Sequence, residues 1–406
     1  EATTSGDRNV AIGVDALLAN TQGARSVAIG YAALDAQDYT TDTTAYNIGI
    51  GYEAGGAVTT GVQNTFLGGL AGDATTAASN NVALGYNALT TNVMGSHSVA
   101  IGVNALKDQT FATASDFYNV AVGSDAGKSI TSGQFNTFIG GLSGDALAAA
   151  DHNTAVGYAS GGSLTTGTQN VIVGSLAGDA LTDADHNVAV GYQALTNDTL
   201  GSRSTALGRS ALNAQNFTTA TEVYNVAVGY NAGLSVSTGQ FNIIVGGQAA
   251  DALTEGTRNV ALGHGALTSD TLGSKSVAIG IAALDSQNFT TATDSNNVAI
   301  GNNAAASITT GLRNTIIGGL AGDALTDADE NTVVGQEALS TDTLGSKSVA
   351  IGRAALNQQN LTTATDVYNV AVGFGAGQSV TTGTFNTITG GLAADALTVG
   401  ERNTVY

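Results

Sequence analysis

The chain has 406 residues, with 55 Gly, one Met and no Pro, Cys or Trp. Twelve Lys and Arg against 32 Asp and Glu give a formal charge of −20, which argues against nucleic acid as a partner because nucleic acid selects basic surfaces. Absence of cysteine removes disulfides, thiol catalysis and Cys-ligated zinc, and no run of about 18 apolar residues offers a membrane-spanning helix.

The first recognisable element is "NVAIG", residues 9–13, and the second is "SVAIGYAAL", residues 26–34. The motif then recurs to the end of the chain. With its Gly as anchor, 22 anchors run from Gly13 to Gly390, and their 21 intervals are sixteen of 17 residues and five of 21. So short and Gly-rich a period predicts an all-β fold, a parallel β-solenoid in which each coil stacks on the last. The long intervals follow Gly30, Gly102, Gly208, Gly280 and Gly352. Three short coils and one long coil make a 72-residue super-repeat, and one unit carries two extra coils near 141–174. The expectation is one continuous solenoid over residues 1–406, of about 22–23 coils. Stacked about 4.8 Å apart, they would form a rod of about 105 Å. The chain begins with Glu1, not Met, which reads as a piece of a longer protein.

Within each coil the residue before the anchor is Ile, Val or Leu, except Thr389, and two positions earlier stands Val, Ile or Thr. Period 2 places these two on one strand face, expected to be the solenoid's own core. The residue between them is mostly Ala but becomes Phe66, Phe138, Ile172, Ile244, Ile316 and Ile388. Both faces are then apolar and both need covering. Those six large residues are the expected interface with other chains. The anchor Gly predicts positive φ or close backbone approach. The Asn that opens most coils suits a ladder of side-chain hydrogen bonds, and the five long coils open instead with Ser26, Ser98, Ser204, Ser276 and Ser348.

"NVAIGxxAL" and "SVAIGxxAL" resemble the head repeats of YadA-type trimeric autotransporter adhesins, and related repeats occur in bacteriophage tail fibres. The likeness spans essentially the whole chain as a pattern. It implies a left-handed parallel β-roll, three chains side by side as a homotrimer, and binding to host surfaces. The chain departs from the family in its longer coils, and it contains no heptad stalk and no membrane-anchor segment.

Catalytic and metal-binding patterns are sparse. His152 and His186 share a column with Asn80, Arg258 and Glu330, an interchangeability that suits surface residues. The "GDALTDAD" segments keep only one Asp through all copies (Asp73, Asp145, Asp179, Asp251, Asp323, Asp395), too few oxygens for calcium and better read as turn caps. Threonine pairs such as Thr59-Thr60 recur on roughly half the coils, too few for an ice-binding array. No enzyme activity, cofactor or metal is therefore expected.

Two features read as binding surfaces. The column before each opening Asn or Ser holds eight of the twelve Lys and Arg, including Arg25, Arg203, Lys275 and Lys347, interleaved with aromatics such as Tyr46, Tyr118, Tyr224 and Tyr368. It reads either as packing along the fibre or as a stripe for an anionic glycan or surface polymer. Each cation of a long coil is expected within cation–π reach of the next aromatic, Lys275 with Asn296 excepted. The extra residues of the long coils form loops, each with one apolar residue: Tyr39, Phe111, Phe217, Phe289 and Leu361. These read either as contacts with a host surface, glycan or receptor, or as staples that fold back on the coil below. The sequence thus predicts a non-enzymatic fibre or adhesin segment, extracellular, on a cell surface or on a virion. Its rivals are a structural filament polymerising end to end and a tail-fibre shaft.

Overall fold

The computed structural model of the chain describes residues 6–111 and 113–406, so Glu1 lies outside them. Among the described residues there is no helix; each of 23 coils contributes one strand to the main parallel sheet, of three residues in all but the last, and five further pairs of two-residue strands lie at the long coils. The chain divides into two compact units, residues 1–202 with 218–221, and residues 203–217 with 222–406. Each is a parallel β-solenoid. In the first, Val27–Ile29 pairs with Val10–Ile12 and with Ile48–Ile50, and Val99–Ile101 pairs with Val120–Val122. In the second, Val277–Ile279 pairs with Val298–Ile300, and Val349–Ile351 with Val370–Val372. Four of these pairings bridge a long coil with no loss of register.

The glycine anchor has two reasons to be glycine. Gly68 sits at φ +138°, where side chains are strongly disfavoured, and a Cβ on it would stand 2.5 Å from the carbonyl oxygen of Gly85 in the next coil. The same clash recurs up the column, so the anchors stack backbone on backbone. Before each strand, the cation-and-aromatic column adopts left-handed backbone without glycine, as at Arg25 (φ 60°) and Tyr46 (φ 51°). A left-handed residue costs about 1–2 kcal/mol, and the hydrogen bonds of the Asn or Ser that follows offset it.

The strand faces are the reverse of the expectation. In nearly every strand the central residue is fully buried and its two neighbours face outward, as in Val82–Leu84 and Thr137–Ile139. Phe66, Phe138, Ile172, Ile244, Ile316 and Ile388 have no exposed surface and fill the interior of their own coils. They are therefore not an interface with other chains. Glycine makes room for them: a Cβ on Gly72 would stand 2.5 Å from the Phe66 ring, and one on Gly144 would stand 2.4 Å from Phe138. Where the central residue is Ala, the position six residues on is Leu in most coils, as Leu89 after Ala83 and Leu106 after Ala100; after Ala121, Ala155, Ala227 and Ala371 it is Gly, and there Ile130, Leu164, Val236 and Val380, nine residues on, are fully buried. This exchange of volume between inward columns keeps a thin core filled, in line with the dense packing of protein interiors.

The opening asparagines form the ladder. Each Asn accepts from the backbone N–H of its successor one coil on, as Asn47 Oδ1 does from Asn64 at 2.9 Å. Its Nδ2 donates to a carbonyl of the coil, Asn64 to Ala78 at 2.9 Å. Serine is too short for that reach. In the long coils a buried glutamine eleven residues on supplies it: Gln287 Nε2 donates to Ser276 Oγ at 2.8 Å, and Asn297 donates to Gln287 Oε1 at 2.9 Å. Gln37, Gln109, Gln215 and Gln359 repeat the arrangement.

Candidate functional site: an outward apolar face and its margins

The first and third residues of the three-residue strands are all Val, Ile, Leu or Thr, and none is charged. Leu84, Ile139, Val171 and Ile243 are each more than 40% exposed. Successive strands stand about 4.8 Å apart, so each unit carries an uncharged stripe two residues wide, apolar except for threonines such as Thr65, Thr137 and Thr315. Soluble monomers rarely leave so large a contiguous patch uncovered. Sequence reasoning found the two apolar faces but exchanged their roles. One signal was present: wherever the middle residue is Phe or Ile, the residue six positions on is Gly or Ala, as a facing neighbour with no room to spare would be.

On one side of this face runs the left-handed column. Arg25 lies 5.4 Å from the centre of the Tyr46 ring and also bonds its hydroxyl. Arg203 lies 5.6 Å from Tyr224, and Lys347 5.4 Å from Tyr368. The His97 ring stacks on Tyr118, Tyr118 on Phe135, and Phe135 on His152, with centres 4.9, 5.8 and 4.9 Å apart. The cations are exposed but engaged. Arg203 pairs with Glu222 at 2.9 Å, Lys275 with Asp294 at 2.5 Å and Lys347 with Asp366 at 2.6 Å. The hydrogen bonds that the Lys347 ammonium donates to the Asp366 carboxylate and the Tyr368 hydroxyl push its pKa up to about 12. Rings stacked along the axis turn their edges to solvent, and their faces are taken by neighbouring coils. The column therefore reads best as packing between successive coils of the solenoid: its charge is largely neutralised and its rings offer little stacking surface.

The long-coil residues fold back. Tyr39, Phe217, Phe289 and Leu361 are at most 7% exposed, and the Tyr39 hydroxyl donates to the Gly61 carbonyl at 2.6 Å. They are staples, not contact residues, because the space inside each long coil needs filling. Tyr39 and Phe289 lie in coils with the small Ala45 and Ser295 six residues on. In the second long coil Phe117 takes that space, and Phe111 is left half-buried against its edge at 4.8 Å.

On the other side of the face lie the conserved-by-repeat aspartates. Burial pushes Asp73, Asp145, Asp179, Asp251 and Asp323 upward, opposed by hydrogen bonds from backbone N–H groups at the turn. They cap the turn, as expected, but Oδ1 of Asp73, Asp179, Asp251 and Asp323 is buried with no hydrogen-bond partner. Among the described residues, no group of three or more His, Asp or Glu converges to hold a metal ion, and no helix is long and apolar enough to cross a membrane. No protein-family model matches the chain, and a search of the curated proteins gave no match either.

Proposed function

We propose that this chain is a non-enzymatic segment of an extracellular fibre whose copies pack side by side through the outward Val/Ile/Leu face, and that the assembled fibre serves attachment. The observation that carries this reading is the uncharged apolar stripe along each solenoid unit. Water contact with such a stripe is unfavourable by about 25 cal/mol per Å². A second copy in the same orientation, with the same coil spacing, presents a matching surface. The resemblance to trimeric adhesin heads supports three copies and a left-handed coil. The test is Leu84→Glu with Ile139→Glu. The double variant should keep its β-sheet circular dichroism and lose association, whereas Thr40→Glu in an exposed loop should change neither. A double variant that still assembles would refute the interface. Loss of adhesion to the native surface together with assembly would support the attachment role.

A further inference from the structure

Eight residues beyond each anchor runs a column that is Thr or Ser in most coils. Its hydroxyls form a second ladder, each donating one coil on: Thr254 to the Thr271 carbonyl at 2.9 Å, and Thr326 to the Thr343 carbonyl at 3.0 Å. In the last three long coils the column changes to Asn, and each Asn has Thr two residues on: Asn216-Phe217-Thr218, Asn288-Phe289-Thr290 and Asn360-Leu361-Thr362. Asn-X-Thr is the acceptor triplet of N-linked glycosylation. Elsewhere in the chain only Asn197 has Ser or Thr two residues on. The opening asparagines of the coils never do, because two residues on from them stands the inward centre of the strand.

The coil holds two of these triplets in one arrangement. Thr271 Oγ1 donates to Asn288 Oδ1 at 3.0 Å, and Thr343 Oγ1 donates to Asn360 Oδ1 at 3.4 Å. Neither Asn places its Nδ2 on a partner among the described residues. Asn288 is exposed, Asn360 is half-buried, and Thr290 and Thr362 are exposed. Between them the staple residue, Phe289 or Leu361, is buried. The staple thus pins each triplet to the coil with its two polar members at the surface. The first long coil shows that the fold does not require an amide here. There the triplet is Asp38-Tyr39-Thr40, Thr21 Oγ1 donates to Asp38 Oδ1 at 2.5 Å, and Tyr39 is the buried staple. One acceptor oxygen serves the ladder in both cases. What Asn adds is an N–H group that the fold leaves unused.

We propose that Asn288 and Asn360 are acceptors of an N-linked glycan. The co-substrate is a glycosyl diphosphate, carried by a lipid or a nucleotide. The Asn Nδ2 bonds to the anomeric carbon of the sugar, the bond from that carbon to the diphosphate oxygen breaks, the diphosphate leaves, and the amide nitrogen gives up one proton. Both acceptors lie in loops rather than on the outward strand face. The proposal rests on the extracellular reading and not on the side-by-side interface. The experiment is peptide mass spectrometry, after trypsin, of the full chain isolated from the cells that make it naturally. Peptides 276–313 and 354–402 should exceed their sequence masses by whole sugar residues, with fragment ions placing the addition on Asn288 and Asn360. A single hexose marks a nucleotide-linked donor and a preassembled oligosaccharide a lipid-linked one, and either supports the sites. Thr290→Ala should abolish the addition at Asn288 and Thr290→Ser should keep it, both with unchanged β-sheet circular dichroism. Asp38→Asn, which completes the triplet of the first long coil, should add sugar to peptide 26–107. Both natural peptides at their sequence masses, or an addition at Asn288 that survives Thr290→Ala, would overturn the proposal. Particle mass of the same sample separates it from the fibre reading. An unmodified particle of several chains overturns the glycan alone, whereas a glycosylated single chain counts against the interface and leaves the sites standing.

Discussion

Two coils of the chain build the same buried node from different chemistry. In the coil of Gly13 the node is Asn20. Its Oδ1 accepts from Gly23 N at 3.1 Å and from Gln37 Nε2 at 3.2 Å, while its Nδ2 donates to the Gly23 carbonyl at 2.9 Å. In the coil of Gly263 the node is Asp270. Its Oδ1 accepts from Gly273 N at 3.0 Å, and its Oδ2 accepts from Gln287 Nε2 at 2.6 Å. Both side chains are buried, and in both coils the glutamine passes the ladder on to the next asparagine. The backbone is indifferent to the exchange of amide for carboxylate, because every group the glutamine needs is an acceptor in both. What differs is electrostatic. Asp270 is surrounded by neutral donors and no cation contacts it, so burial pushes its carboxyl upward. Hydrogen-bond polarity sets the fold of the long coil, and charge only tunes its stability.

The largest effect should come from removing the element the two nodes share. Gln287→Leu takes one donor from the Asp270 carboxylate, one from Ser276 and the Gln287 acceptor from Asn297, leaving the buried charge with only backbone donors, and should destabilise by about 3–5 kcal/mol, since weakening a buried charged network leaves groups undercompensated. Gln37→Leu strands only neutral groups and should lose less, about 1–3 kcal/mol. Urea unfolding of the two variants checks the order. Equal losses would mean that the carboxylate is not held by the glutamine.

Next in size is the loop staple. Phe289→Ala empties a buried site beside the small Ser295 and should cost about 3–5 kcal/mol. Phe111→Ala removes a half-buried ring from a coil that Phe117 already fills, and should cost about 1 kcal/mol. Thermal denaturation of the pair separates them, and a larger loss at Phe111 would contradict the exchange of volume.

Swapping the nodes tests the electrostatics directly. Asp270→Asn should stabilise the protein at pH 7 by about 1–2 kcal/mol, because Asn20 shows that the amide is accommodated and the buried charge is gone. The pH dependence has a fixed sign. Asp270 binds its proton more readily folded than unfolded, so the parent gains stability as pH falls through the raised folded value towards the ordinary carboxylate range. The half-buried turn aspartates add to the same trend. The gain from Asp270→Asn should therefore shrink in acid. An advantage that grows on acidification would reverse the assignment. Smallest of all, Lys275→Ala removes an exposed ion pair with Asp294 and should cost less than about 1 kcal/mol.

Much of this was legible in the sequence. The 17- and 21-residue intervals gave the coil, the anchor glycines gave the stacking column, and the opening asparagines gave the ladder. The spacing of Arg25 from Tyr46, and of Lys347 from Tyr368, placed those pairs across one coil in register. Strand faces were not legible from period alone, because a three-residue strand with Val, Ala and Ile has no polar side to orient it. The partnership of Phe66 with Gly72 would have oriented it. The Ser–Gln exchange was likewise written in the chain, since Gln37, Gln109, Gln215, Gln287 and Gln359 occur at one position of the long coils only. Its meaning needed the structure, because eleven residues of separation say nothing of two side chains meeting inside a coil. The direction of the loop residues depended on the interior volume left by Ala45, Phe117 and Ser295, which no local pattern encodes.

The central claim is that the outward Val/Ile/Leu face is covered by further copies of the chain. The mass of the particle in solution, by sedimentation equilibrium at micromolar concentration, tests it most directly. The account predicts a particle of several chains of 40.1 kDa each, three by the adhesin resemblance, falling to a single chain when Leu84 and Ile139 become Glu. A stable, soluble single chain with Leu84 and Ile139 intact and open to water would contradict it.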